Sequence, residues 1–344
     1  MKVLITGSRG YIGSRLCQLL SKKYKYKIEV IGLDSNFYQF KKKLEKKILI
    51  KDIRDVQISN LKNIDAVVHL ASLSNDPLGS LNENLTKDIN HKATTKIAKF
   101  AKKMKVKRFI FVSTQSVYGI SKYKNKTIKE NDKNINPITQ YAKSKLKAEK
   151  DILKLADDNF CVVILRPSTV HGPSENFRSD IVLNNLSASA FTKKKIVINT
   201  NGKPYRPVLF IDDLCKIIIS SLFKSKKIIQ KKIYNVGYPG KNFSILQIAK
   251  MVKKVFNKYP VIVLNNPSHD ERSYKVNFNL LSKDFSDIIN FKNKDIINDI
   301  KKLKIFFKKK NFTYKSFVSE KTNRILKLKI LLKQKKINKN LRFI

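Results

Sequence analysis

The sequence predicts an α/β fold in which a doubly wound parallel sheet carries a smaller C-terminal lobe, and three observations lead there. Apolar runs of strand length alternate with helix-patterned segments through the first 170 residues. Three of the ten glycines (Gly7, Gly10 and Gly13) fall within seven residues, directly after the apolar run Val3-Leu4-Ile5. After Pro167 the rhythm breaks, and Pro173, Pro204, Pro207, Pro239, Pro260 and Pro267 punctuate shorter elements.

Taken in order, strands are expected at 3–6, 28–33, 47–50, 66–70, 109–113 and 162–166, with helices at 13–23, 83–103 and 139–157. Strands that are apolar along their whole length are buried on both faces, the mark of a parallel sheet covered by helices. The pattern defines a Rossmann-type domain at 1–170, with further core elements returning at 208–236. Residues 171–310 are expected to form mainly a substrate-binding lobe and 311–344 a basic helical tail. From about residue 293 the chain is helix-like, and 324–344 has the pattern of an amphipathic basic helix, expected to pack on the second lobe, with a membrane-surface or partner role as the alternative.

Composition narrows the partners. Lys and Arg number 73 against 26 Asp and Glu, a net charge of +47. The lysines are spread along the entire chain, and only ten of the basic residues are Arg, the residue suited to forked contacts with bases and phosphates. No specific nucleic-acid partner is therefore expected. No run of eighteen apolar residues is present, which predicts no membrane span. A strand beginning at residue 3 leaves no room for a signal peptide, and Cys17, Cys161 and Cys215 lie in apolar segments without metal-ligand spacing. Those features predict a cytoplasmic chain with buried, reduced thiols and no metal.

Two constellations carry chemistry. Gly7-x-x-Gly10-x-x-Gly13 between a strand and a helix brings backbone close to a pyrophosphate, with Arg9, Tyr11 and Ile12 in the same turn. Asp34 closes the second strand, where a carboxylate accepts hydrogen bonds from an adenosine ribose and repels a 2′-phosphate. The pair predicts NAD rather than NADP, with Arg9 the one residue able to reach a 2′-phosphate. Further on, Tyr141 and Lys145 lie four apart, hence on one helix face. A tyrosine is a poor base at neutral pH, and a neighbouring ammonium together with an oxidised nicotinamide stabilises its phenolate.

With Tyr141-x-x-x-Lys145 in place, the chain resembles the extended short-chain dehydrogenase/reductases, specifically nucleotide-sugar epimerases and dehydratases of the UDP-glucose 4-epimerase type. The matching pieces run in family order: Thr6-Gly7-x-x-Gly10-x-x-Gly13, Asp34, Asp52-Ile53-Arg54-Asp55, His69-Leu70-Ala71-Ser72, Ser113-Thr114-Gln115-Ser116-Val117-Tyr118-Gly119, Tyr141-x-x-x-Lys145, Leu165-Arg166-Pro167 and His171-Gly172-Pro173. Arg206-Pro207-Val208-Leu209-Phe210-Ile211-Asp212-Asp213 and Asp270-Glu271-Arg272-Ser273-Tyr274 extend the resemblance to about residue 280.

The resemblance implies roles by position. Thr114 matches the residue that hydrogen-bonds the reacting sugar hydroxyl, Tyr141 the general acid/base, and Lys145 the residue that holds the nicotinamide ribose. Asp52 and Ile53 match adenine contacts, and Leu70, Ala71 and Ser72 line the path to the nicotinamide. Asn90 stands where the family's helix meets the active site, and Pro167 completes the cofactor wall. Arg206 and Arg272 match diphosphate-binding arginines. Ser74, Asn75, Gln115 and Ser116 are implied to face the sugar.

Gln115-Ser116 stands where the sugar 4,6-dehydratases carry Asp-Glu, so carboxylate-driven elimination is not expected. His171 replaces the usual Tyr before Gly-Pro. The implied activity is an NAD-dependent nucleotide-sugar epimerase working by transient hydride transfer through a keto sugar, on a nucleotide-diphosphate sugar, as a homodimer. Two alternatives stay open: a nucleotide-sugar dehydrogenase or 4-ketoreductase with exchangeable NAD(P), and a non-catalytic nucleotide- or RNA-binding relative.

Overall fold

Val3, Leu4 and Ile5 are all fully buried, as a strand apolar on both sides must be. The computed structural model describes residues 1–38, 42–74, 76–120, 127–133, 135–264, 273–291 and 293–344. Its strands are β1 (Lys2–Thr6), β2 (Glu29–Asp34), β3 (Lys47–Ile50), β4 (Ala66–His69), β5 (Arg108–Val112) and β6 (Cys161–Pro167). The second half supplies β7 (Thr169–His171), β8 (Ile196–Ile198), β9 (Tyr205–Phe210), β10 (Ile233–Val236), β11 (Asn242–Ser244) and β12 (Val261–Val263).

Seven of these form one parallel sheet in the order β10-β6-β5-β4-β1-β2-β3, with Val3 in register with Val30 on one side and Ala66 on the other. Alternate residues feed opposite faces. Val3, Ile5 and Val68 pack with Leu16 and Leu20 of the helix Tyr11–Lys23 and with Leu214 and Ile218 of the helix Ile211–Phe223. Leu4, Val67 and Phe109 pack with Ile97, Ala98 and Ile152 on the other side. Each such fully buried aliphatic contributes about 1.5–3 kcal/mol. The order reverses between β1 and β4, and a doubly wound sheet opens its ligand crevice at that switch, beyond the carboxyl ends of the strands.

The remaining strands make a three-stranded sheet, β11-β9-β7, and a pair, β12-β8. The helices Val182–Lys193, Ile245–Val255 and Ile296–Lys309 pack on one another beside them.

Two elements differ from the sequence expectation. The helix expected over 83–103 is broken by a π-helical turn, Asp88–Ala93, between Glu83–Lys87 and Thr94–Lys103. The wider turn carries Asn90, buried, whose side chain accepts from Leu73 N at 2.8 Å and donates to Leu73 O at 3.1 Å. The C-terminal helix covers only Arg324–Lys333, and the chain then folds back through an antiparallel bridge between Ile337 and Phe343.

Its packing differs as well. Leu328, Leu331, Ile337 and Leu341 join the core cluster of Leu4, Val67 and Phe109, on the seven-stranded sheet rather than on the second lobe. Arg342 pairs with Asp55, Arg54 donates to the Asn340 carbonyl at 2.8 Å, and Phe343 stacks on Phe37 at 5.4 Å. Four apolar residues facing one side outweigh the lysines, which remain solvated on the other. No helix among the described residues is long and apolar enough to cross a membrane.

Candidate active site

Glycine is required twice in the turn after β1. Gly7 has φ +70°, and a Cβ on it would meet Ala71 N at 2.8 Å; a Cβ on Gly13 would meet Gly7 O at 2.1 Å. The turn is therefore pressed against both the exit of β4 and the first helical turn. The helix Tyr11–Lys23 starts with no side-chain cap and no acidic residue in its first turn, which leaves N–H groups available to an anion.

Gly7, Gly10, Tyr11, Ile12 and Gly13 form one end of a cavity of about 840 Å³. Asp34 stands beside them, accepting from the backbone N–H groups of Arg9 at 3.0 Å and Asn36 at 2.7 Å, and burial raises its carboxyl above the ordinary range. The Arg9 side chain turns toward buried Glu45, with Nε 3.8 Å from Oε1, and that carboxylate also accepts from the Ser8 hydroxyl at 2.9 Å. The charge that could have met a 2′-phosphate thus faces a counter-charge. Asp52 and Ile53 line the same end, the Asp52 carboxylate forked by Arg54 at 2.9 and 2.7 Å.

Leu70, Ala71 and Ser72 continue the wall from the end of β4 to the middle of the cavity, where Thr114, Tyr141, Lys145 and Pro167 converge. Thr114 caps the short turn after β5, its hydroxyl accepting from Ser116 N at 3.1 Å. Thr139 caps the next helix, Gln140–Leu153, accepting from Ala142 N. That cap fixes where the helix begins and brings Tyr141 and Lys145 to the cavity on successive turns. The Lys145 ammonium is 2% exposed, donates to the Val112 carbonyl at 2.9 Å and lies 4.7 Å from the centre of the Phe111 ring.

Burial draws Lys145 down to about 7, with Glu149 pulling in the opposite direction. An unfolded lysine keeps its proton to about pH 10, so between about pH 7 and 10 the unfolded chain binds the extra proton. Stability of the ligand-free protein should then rise with pH in that window. Urea midpoints at pH 7 and 9 test this: the wild type should gain more than Lys145→Met, on the order of 1 kcal/mol per pH unit. Equal gains would mean that Lys145 stays charged when buried.

The far end is built by the second half of the chain. Arg206 lines it, its guanidinium 5.5 Å from the centre of the Tyr274 ring, and Ser74 and Ser116 also reach the surface. Asn90 and Gln115 do not line the cavity: Asn90 holds the backbone of Leu73, and Gln115 donates to the Arg166 carbonyl at 3.1 Å. Asn75 and Arg272 lie outside the described residues.

Among the lining residues that no sequence motif had marked are Tyr38, Arg178, Asp180 and Arg324. Arg178 is buried, forks Asp180 at 2.9 and 2.8 Å and donates to the Ser74 hydroxyl at 3.1 Å; the negative field of Asp180 holds it charged. The available signal was the scarcity of arginine. In a chain that otherwise uses lysine, Arg15, Arg54, Arg166 and Arg178 each make a two-nitrogen fork with one carboxylate, a geometry lysine cannot make.

Residues 3–237 match the model described as the NAD dependent epimerase/dehydratase family. An uncharacterized UDP-glucose epimerase of Bacillus subtilis (strain 168) is 29% identical over 272 residues, covering 74% of this chain and 82% of its own length. The dTDP-D-glucose 4,6-dehydratase of Dictyostelium discoideum is 29% identical over 277 residues, 74% of this chain and 62% of that protein. The solved UDP-N-acetylglucosamine 4-epimerase from Methanobrevibacter ruminantium M1, in complex with UDP-N-acetylmuramic acid, superposes with a TM-score of 0.78. That likeness spans 90% of this chain and 98% of the other at 22% identity, and bears on the fold alone.

Proposed function

The chain belongs to the NAD dependent epimerase/dehydratase family, and from that premise we propose that it is an NAD-dependent epimerase of a nucleotide-diphosphate sugar. The observation that carries the reading is the convergence of Thr114, Tyr141 and Lys145 on the cavity that also holds the glycine turn and Asp34. The cradle fits a dinucleotide, because two positions tolerate no Cβ and a helix N-terminus faces the space they leave. When bound there, NAD supplies a reversible two-electron acceptor.

The chain's own residues would do the rest. The glycine turn and the first helix would hold the pyrophosphate, and Asp34 would accept from the adenosine ribose. Lys145, anchored on the Val112 carbonyl, would hold the nicotinamide ribose and stabilise Tyr141 as phenolate. Tyr141 would take the proton of a sugar hydroxyl and later return it, while Thr114 holds the same hydroxyl in line. Arg206, and Arg272 by position, would bind the diphosphate of the sugar nucleotide. The division into a nucleotide-binding domain (1–170 with 208–236) and a mainly substrate-binding lobe (171–310) is part of the same proposal. So is homodimerisation through the helical stretches 83–103 and 139–157.

Epimerisation is favoured over 4,6-elimination because the described wall offers no unpaired carboxylate beside Thr114. Its acids are Asp34 and Asp52 at the adenosine end and Asp180, which Arg178 forks. The test is incubation of purified protein with UDP-, dTDP- and GDP-sugars without added reductant, followed by NMR. One inverted carbon without accumulation of reduced cofactor is expected. Stoichiometric NADH release would move the assignment to a nucleotide-sugar dehydrogenase or ketoreductase.

A further inference from the structure

We propose that Arg324, delivered by the C-terminal segment, binds the pyrophosphate of the adenine dinucleotide. The inference rests on the reading that the cavity takes such a dinucleotide. Its first ground is position. Asn323, Arg324 and Ile325 form part of the cavity wall, with the Arg324 guanidinium carbon 4.0 Å from the centre of the Tyr38 ring. Arg324 Nη2 donates to the Asn176 carbonyl at 2.8 Å and to its Oδ1 at 2.6 Å. Asn176 Nδ2 in turn donates to the carbonyl of Arg9, inside the glycine turn. A two-residue relay therefore ties the tail to the loop that cradles phosphate.

The second ground is an uncompensated charge. Arg324 is 2% exposed, and its Nη1 is buried without a hydrogen-bond partner. Its two hydrogen bonds go to neutral oxygens, and among the described residues no carboxylate lies within ion-pair distance of it. The four forked arginines contrast with it, since each meets an acid. Burial accordingly pulls its guanidinium down to about 10, a group that ordinarily never loses its proton. Asp180, Asp34 and the Tyr38 ring act on it only from beyond ion-pair contact, and a buried cation with no contacting counter-charge is strongly unfavourable unless an anion completes the site.

The third ground is the helix itself. Arg324 opens a ten-residue helix whose first residues line the cavity, and the Asn323 side chain caps only the Leu326 N–H there. Three positive features then line one cavity: the N-terminus of the first helix, the N-terminus of the last, and the Arg324 side chain at its start. Pyrophosphate rather than a 2′-phosphate is the matching anion, because the Asp34 carboxylate holds the ribose end. The burial of Leu328 and Leu331 and the ion pair of Arg342 with Asp55 hold the segment against the sheet while it does so.

Calorimetric titration with ADP-ribose, adenosine and NADP, on wild type, Arg324→Gln and Arg324→Lys, tests the proposal. Arg324→Gln should weaken ADP-ribose roughly 10–100-fold, the range for a lost charge-assisted hydrogen bond, and leave adenosine within about twofold. Equal losses for both ligands, or an unchanged affinity for ADP-ribose, would overturn the assignment. A loss confined to NADP, with ADP-ribose unaffected, would overturn it in favour of a 2′-phosphate contact. Should Arg324→Gln not fold, Arg324→Lys carries the test: a several-fold loss for ADP-ribose alone supports the guanidinium contact, and an unchanged affinity refutes it. Failure of the wild type to bind ADP-ribose would instead refute the dinucleotide reading itself.

Discussion

Tyr141→Phe should lower kcat by about 10²–10⁴-fold, the usual contribution of a positioned acid/base, while cofactor affinity changes little. Phenylalanine keeps the ring in a buried place at the start of the helix Gln140–Leu153 and removes only the hydroxyl. The ring's base is tightly seated: a Cβ on Gly79 would come within 2.9 Å of Tyr141 Cβ. The variant should therefore fold, and its loss reports the missing proton transfer rather than a collapsed site. Turnover with the identified sugar nucleotide and NAD binding by calorimetry are the paired measurements. Undiminished turnover would remove Tyr141 from the mechanism and with it the proposed chemistry.

Glu149→Gln should destabilise the protein by about 3–5 kcal/mol, the cost of stranding a buried charge. Glu149 and Arg166 are 1% and 2% exposed, with Arg166 Nη2 donating at 2.6 Å and Nε at 3.1 Å to the carboxylate. The Ser113 hydroxyl also donates to Glu149, and Arg166 Nη1 donates to the Tyr118 hydroxyl at 3.0 Å. A glutamine fills the same space and leaves the guanidinium without its charge partner. Urea denaturation measures the loss, and the double variant Glu149→Leu with Arg166→Met should lose less than either single variant.

The pair stands one helical turn beyond Lys145, whose ammonium Glu149 helps to keep charged. The substitution should therefore also move the alkaline limb of the pH profile of turnover to lower pH, because the charged lysine is easier to lose. A stability change below about 1 kcal/mol would indicate that water or a neighbour compensates Arg166 in the single variant.

Much of the sheet could be read directly, because Val3-Leu4-Ile5, Ala66-Val67-Val68 and Phe109-Ile110-Phe111 are apolar on both faces and allow no solvated alternative. The glycine turn was equally legible: spacing alone set three glycines between a strand and a helix. The π turn at Asp88–Ala93 was not, since a helix with one wider turn has the same local pattern as one without. What selects it is a partner seventeen residues away, the backbone of Leu73. Gln115 and Thr114 are adjacent in the chain, yet one turns to Arg166 and the other to the cavity, a choice made by the cap geometry after β5.

The sequence by itself determined the parallel sheet, the phosphate turn and the spacing of Tyr141 and Lys145, because each follows from local periodicity and short-range backbone geometry. Tertiary structure alone decided the destination of the tail. A run such as Arg324-Ile325-Leu326-Lys327-Leu328 announces an amphipathic helix but not the surface that covers its apolar side. Burial of Leu328 and Leu331 against the sheet of Leu4 and Val67 answers that, and in doing so carries Arg324 to Asn176 and the cavity. Hydrophobic burial is non-directional and favours any apolar face that excludes water. The pairing of two distant surfaces, and the charge it carries into a site, exists only once the chain has closed on itself.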